Sequence, residues 1–123
     1  MPPLYVVVLQ GDQRIASSLA TALSNSFASV HRASSASELR ALLKPHRTGI
    51  LILDIEAVPL LEVERLSEDF PQASIVCTHR VPDEEMWLAV LAAGAMDICQ
   101  SSDIPGIVRS AFGNASSAAS AAA

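Results

Sequence analysis

Four short apolar runs, Leu4–Leu9, Ile50–Leu53, Ser74–Cys77 and Met96–Cys99, with a weaker one at Ala28–Arg32, punctuate a chain otherwise patterned at helical spacing. None of them alternates apolar with polar residues, which is the pattern of strands covered on both faces of a sheet. Between the runs, Ile15, Leu19, Leu23 and Phe27 recur every four residues. Leu39, Leu42 and Leu43 form a shorter stripe behind the cap-prone cluster Ser34-Ser35-Ala36-Ser37. Three more helices are predicted over Pro59–Asp69, Pro82–Ala93 and Asp103–Phe112. Pro59 and Pro82 sit near first turns, where the missing N–H would be unpaired in any case, and Pro45 and Pro71 close the helices before them. Five repeats of strand then helix, with connections too short for anything but crossovers, predict a doubly wound α/β domain: a five-stranded parallel sheet wrapped by helices on both sides.

Composition narrows the picture. The chain has 123 residues, 50% of them apolar, enough for one core, and the domain is expected to span residues 1–112. Residues 113–123, GNASSAASAAA, offer no large side chain to bury and read as a disordered tail or linker. Thirteen acidic residues against eight Lys and Arg give a formal charge of -5, and no basic run interrupts it, which argues against nucleic acid as a direct partner. The first apolar run is too short for a signal h-region or a membrane span and has no basic leader, so a cytoplasmic protein making no membrane contact is the expectation. Cys77 and Cys99 lie inside apolar runs and read as buried thiols, with a redox pair across adjacent strands as the alternative. His31 and His46 read as solvated, with no metal-like neighbour.

Ligands of open α/β sheets gather at the carboxyl ends of the strands. Those ends present Gln10-Gly11-Asp12, Asp54, Thr78-His79-Arg80 and Gln100-Ser101-Ser102. No GxGxxG follows the first strand and no GxxxxGK[ST] occurs, so a dinucleotide or P-loop enzyme has no phosphate cradle. Asp54, which ends the greasy run Ile50-Leu51-Ile52-Leu53, is either a cap for the next turn of chain or a reactive acid at the rim of the core.

The alternation of elements, Asp54 ending the third strand, Thr78 ending the fourth and Ala93-Gly94-Ala95-Met96-Asp97 leading into the fifth resemble, in order and spacing, the receiver domain of two-component response regulators, over residues 4–112. The resemblance implies a flavodoxin-like (βα)5 sheet of strand order 2-1-3-4-5. It also places Asp54 on the aspartate that accepts a phosphoryl group from a histidine kinase. That chemistry needs Mg2+, which takes near-octahedral oxygen ligands. The acidic pair that binds the metal in the family falls on Gln10 and Gly11, leaving Asp12 and Asp54 as the candidate ligands. The family's phosphoryl-pairing lysine falls on Ser101 and its aromatic switch residue on Ile98, whereas its threonine is kept as Thr78.

The chain is therefore expected to be an atypical receiver, or pseudo-receiver, in two-component phosphorelay signalling. It is not expected to be an enzyme or to use a cofactor, and Mg2+-dependent phosphorylation is impaired or lost. The expected pocket comprises Gln10, Gly11, Asp12, Thr78, His79 and Ser101 around Asp54, with His79 or Arg80 approaching Asp54 in place of the missing charges. The expected partners are a histidine kinase, an output domain or a second copy in a homodimer. The contact surface is expected at Trp87, Val90, Leu91 and Ile98, because the MWLAVLAA helix is apolar over more than one face. Two other readings stand beside this one: a working receiver phosphorylated on Asp54, and a flavodoxin-like domain binding a small molecule in the vacated pocket.

Overall fold

The computed structural model describes the backbone of residues 5–122 and the side chains of residues 5–113, so Leu4 of the first apolar run lies outside the described residues. Strands and helices alternate without exception: β1 (Tyr5–Leu9), α1 (Gln13–Ser24), β2 (Ser29–Arg32), α2 (Ala36–Leu43), β3 (Ile50–Asp54), α3 (Leu60–Asp69), β4 (Ser74–His79), α4 (Glu84–Ala92), β5 (Asp97–Gln100) and α5 (Ile104–Ala122). The five strands are parallel in the order β2-β1-β3-β4-β5, the predicted doubly wound topology.

Alternate residues of each strand feed opposite faces. Val7, Leu9, Leu51, Leu53, Ile75 and Cys77 meet Leu39 and Leu43 of α2, Val63 and Leu66 of α3 and Val90 of α4. Val6, Val8, Ile50, Ile52 and Val76 meet Leu19 and Leu23 of α1 and Ile107 and Ala111 of α5. Burial on both faces is why the central strands carry no alternation.

Side chains set where most helices begin. Arg14 N donates to Asp12 Oδ1 (2.9 Å), Glu38 N to Ser35 Oγ (3.2 Å) and Met86 N to Asp83 Oδ1 (2.8 Å), each satisfying a first-turn N–H that has no partner within the helix. The Asp83 cap starts α4 at Glu84, two residues after the expected Pro82. α5 does not stop at Phe112: its backbone stays helical to Ala122 through the segment read as a structureless tail. Alanine has the highest intrinsic helix propensity, so an Ala-rich continuation needs no core of its own to be helical. Arg40 of α2 reaches across to α3, where its Nη1 lies 2.7 Å from Asp69 and its Nε donates to Glu62 at 3.0 Å.

One sequence reading needs correction, and one alternative falls. Val90, expected on a contact surface, is fully buried: Val90 and Ala93 pack into the core on the sheet, while Trp87 (43% exposed) and Leu88 (55% exposed) face outward. Cys77 and Cys99 cannot form a redox pair, because Cys77 stands opposite Ile98 and Cys99 opposite Thr78, so the two thiols point to opposite faces of the sheet. Burial pushes the Cys77 thiol up to about 12, which keeps it protonated and inert. His31 and His46 are exposed, as expected, and their rings also stack on Tyr5, with centroid separations of 4.7 and 3.9 Å.

Candidate functional site

At the carboxyl end of β3, Asp54 is 8% exposed and lies between β1 and β4, the strands that flank it in the sheet. Both carboxylate oxygens are held by backbone. Gly11 N donates to Oδ2 and Glu56 N to Oδ1, each at 2.9 Å. The β1–α1 turn approaches closely enough that a Cβ on Gly11 would stand a tight 3.3 Å from Asp54 Oδ2, so a side chain there would push the carboxylate by a few tenths of an ångström.

Gln10 and Thr78, from the two flanking strands, are buried at 4% and 0% exposure and bonded to each other. Gln10 Nε2 donates to Thr78 Oγ1 at 2.9 Å. The threonine oxygen thus accepts from Gln10, the residue on which the family's first acid falls. Ser101, at the start of the β5–α5 turn, is 2% exposed, and its backbone N–H donates to His79 O.

In front of Asp54 opens a cleft of about 470 Å³, lined by Gly11, Asp12, Ile15, Asp54, Glu56, Ala57, Arg80 and Ser101. Gln10 and Thr78 lie behind this lining, bonded to each other. Arg80 reaches the cleft but closes on a different acid: its backbone N donates to Glu56 Oε1 at 2.9 Å, and its Nε and Nη2 both lie 2.9 Å from Glu56 Oε2. The hydrogen bonds from Arg80 hold the Glu56 carboxyl below the usual carboxylate range and raise the guanidinium in turn. His79 turns toward its own loop, where Val81 N donates to its Nδ1 (3.0 Å). The expected replacement of charge at Asp54 by His79 or Arg80 is therefore not what the side chains do. The register pairs Asp54 with Thr78, so the positions two residues beyond, Glu56 and Arg80, come together instead.

The side chains around the cleft make a poor donor set for Mg2+, with only Asp12 and Asp54 keeping open carboxylate lone pairs. Gln10 is turned to Thr78, Gly11 has no side chain, Asp12 Oδ1 caps α1, both Asp54 oxygens accept N–H groups and Glu56 is chelated by Arg80. Among the described residues, no three His, Cys, Asp or Glu side chains come together as a metal cluster.

No sequence-family model matches the chain, and no curated protein matches it in sequence. Solved structures do. A CheY-like response regulator receiver domain from Methanospirillum hungatei superimposes with a TM-score of 0.83 at 14% identity, over 97% of this chain and 98% of that one. This chain has the receiver-domain fold. A response regulator from Thermotoga maritima matches this receiver fold with a TM-score of 0.77 at 18% identity, over 88% and 93% of the two chains. NtrX from Brucella abortus matches with a TM-score of 0.80 at 15% identity over 98% of this chain but only 29% of its own length. On the receiver fold, Asp54 closes β3 and Thr78 lies beside it on β4, as the resemblance implied. Ile98 of β5 is half-buried and packs on the sheet face that carries α4. No helix among the described residues is long and apolar enough to cross a membrane.

The contact between Gln10 and Thr78 and the ion pair between Glu56 and Arg80 were both missed in the sequence. The second had a signal, since Glu56 and Arg80 are equally spaced from two residues that end neighbouring parallel strands. The first had none, because Gln10 and Thr78 come together only through their shared neighbour β3.

Proposed function

We propose that this chain is an atypical receiver of two-component signalling, non-enzymatic, that acts in the cytoplasm by protein contact and has lost Mg2+-dependent phosphorylation of Asp54. The observation that carries the reading is the buried bond from Gln10 Nε2 to Thr78 Oγ1 (2.9 Å). Thr78 Oγ1 accepts in this bond and keeps its own proton, but swinging the hydroxyl toward a group on Asp54 would pull it from Gln10 and leave a buried amide unpaired. The surrounding chemistry agrees with it: a phosphoryl group would add negative charge to a cleft already lined by Asp12, Asp54 and Glu56, with Arg80 spent on Glu56.

The contact surface is formed by Trp87, Leu88 and Leu91 of α4 with Met96 at the entry to β5, all exposed or half-exposed apolar side chains. Its partner is a histidine kinase, an output domain or a second copy. The share of NtrX that this fold covers supports a module working within a longer signalling protein.

Incubation with acetyl phosphate and Mg2+ followed by intact-mass measurement tests the proposal. The expected result is an unchanged mass. Gain of one phosphoryl group by the wild type, and its loss in Asp54→Asn, would establish the rival reading of a working phosphoacceptor.

A further inference from the structure

Three carboxylates, Asp12, Asp54 and Glu56, line one cleft with a single cation, Arg80. Glu56 and Arg80 neutralise each other through a bidentate pair, and the Arg80 side chain is 77% exposed at the mouth. Asp12 and Asp54 form no salt bridge among the described residues, although Arg80 still feels the charge of Asp54. For Asp54, 8% exposed, that is an unusual condition, since buried charges are ordinarily paired. A second observation points the same way. Ser101, 2% exposed, lines the cleft, and its hydroxyl has no hydrogen-bond partner among the described residues, although buried hydroxyls are generally satisfied.

We propose that the cleft before Asp54 binds a primary alkylammonium group, with Asp54, Asp12 and the Ser101 hydroxyl as its acceptors. An ammonium is a compact cation with three donors and no acceptor. The acceptors match it: Asp54 keeps lone pairs beyond the two used by Gly11 N and Glu56 N, Asp12 keeps Oδ2, and Ser101 keeps its hydroxyl oxygen. Asp54 is the recessed end of the site and Asp12 its exposed rim, so a cation carried on a slender stem can reach both. Ile15 and Ala57 supply apolar wall for an unbranched alkyl chain, and about 470 Å³ falls in the range of small-ligand clefts. The inference rests on the reading that the cleft no longer serves phosphotransfer, and it gives the emptied site a ligand chemistry of its own.

The test is calorimetric titration of the wild-type chain with butylammonium chloride, with tetramethylammonium chloride and sodium chloride as controls at matched ionic strength. Saturable binding of butylammonium, and none of tetramethylammonium, which carries charge without donors, is expected. Asp54→Asn should weaken butylammonium by about tenfold or more, as for loss of a charged hydrogen-bond acceptor. Ser101→Lys should abolish binding by placing a tethered ammonium in the cleft, and it guards against Asp54→Asn failing to fold. Tighter binding of an Nα-acetyl-lysine amide than of butylammonium would assign the ammonium to a protein side chain; the reverse order would assign it to a free amine. Equal heats for butylammonium and tetramethylammonium, or affinity unchanged in both variants, would overturn the proposal. Neither outcome depends on the acetyl phosphate experiment, so failure of the ammonium site and failure of the signalling assignment are read separately.

Discussion

Replacing Gly94 with alanine should lower the free energy of unfolding by about 3 kcal/mol, from two separable causes. Gly94 turns the chain out of α4 toward β5 with φ at +104°, a conformation that costs an L-residue roughly 1–2 kcal/mol. A Cβ there would also overlap the Ser67 side chain of α3, standing 2.6 Å from its Cβ, and overpacking of that kind adds about 1–3 kcal/mol. Urea unfolding of Gly94→Ala, alone and combined with Ser67→Gly, separates the two. The second substitution should recover the steric part and leave the backbone part. A loss below about 0.5 kcal/mol in the single variant, the range of ordinary surface substitutions, would mean that the α4–β5 turn is not built as described.

The second large effect belongs to the Gln10–Thr78 pair. Thr78→Val keeps the shape of the side chain but leaves the Gln10 amide buried at 4% exposure with its partner gone, at a cost of about 1–3 kcal/mol. Gln10→Met should cost a similar amount by orphaning the hydroxyl. The double variant removes both polar groups and should lie close to the wild type, so the two losses would fail to add. Additive losses would show that the two side chains act independently, and the lock on Thr78 would then have no energetic basis.

The fold could be read from the sequence because burial on both faces leaves a direct trace. Ile50-Leu51-Ile52-Leu53 has no polar residue to assign to solvent, and every residue of β3 is buried. β5 was less clear. Its expected start at Met96 moves to Asp97, since Met96 is 49% exposed and precedes the paired residues. On α4, apolar residues on all sides gave the right helix but not its orientation, so Val90 was assigned outward when it packs inward. The segment after Phe112 looked structureless because it has nothing to bury, yet helix formation by alanine does not require burial.

The cleft was legible residue by residue, through Asp54, Gly11, Asp12 and Ser101, but its internal pairing was not. Which acid Arg80 would meet depends on strand register, and the register joins it to Glu56 rather than Asp54. A long-range side-chain bond such as Gln10 to Thr78 carries no local periodicity to reveal it. On the proposed reading both pairings matter, because Gln10 holds Thr78 and Glu56 holds Arg80 away from a phosphoryl group on Asp54.

On the proposed reading, the strand ends around Asp54 keep one arrangement that neither Mg2+ nor a phosphoryl group changes. Amide NMR spectra of the chain with and without Mg2+ and trifluoroberyllate, a phosphoryl mimic, test it most directly. The amides of Gly11, Asp54 and Thr78 and the indole of Trp87 should stay in place throughout the titration. Saturable shifts at Asp54 and Thr78 that spread to Trp87 would contradict the account, for they would mean that Asp54 still takes the ligand and that Thr78 leaves Gln10 to follow it.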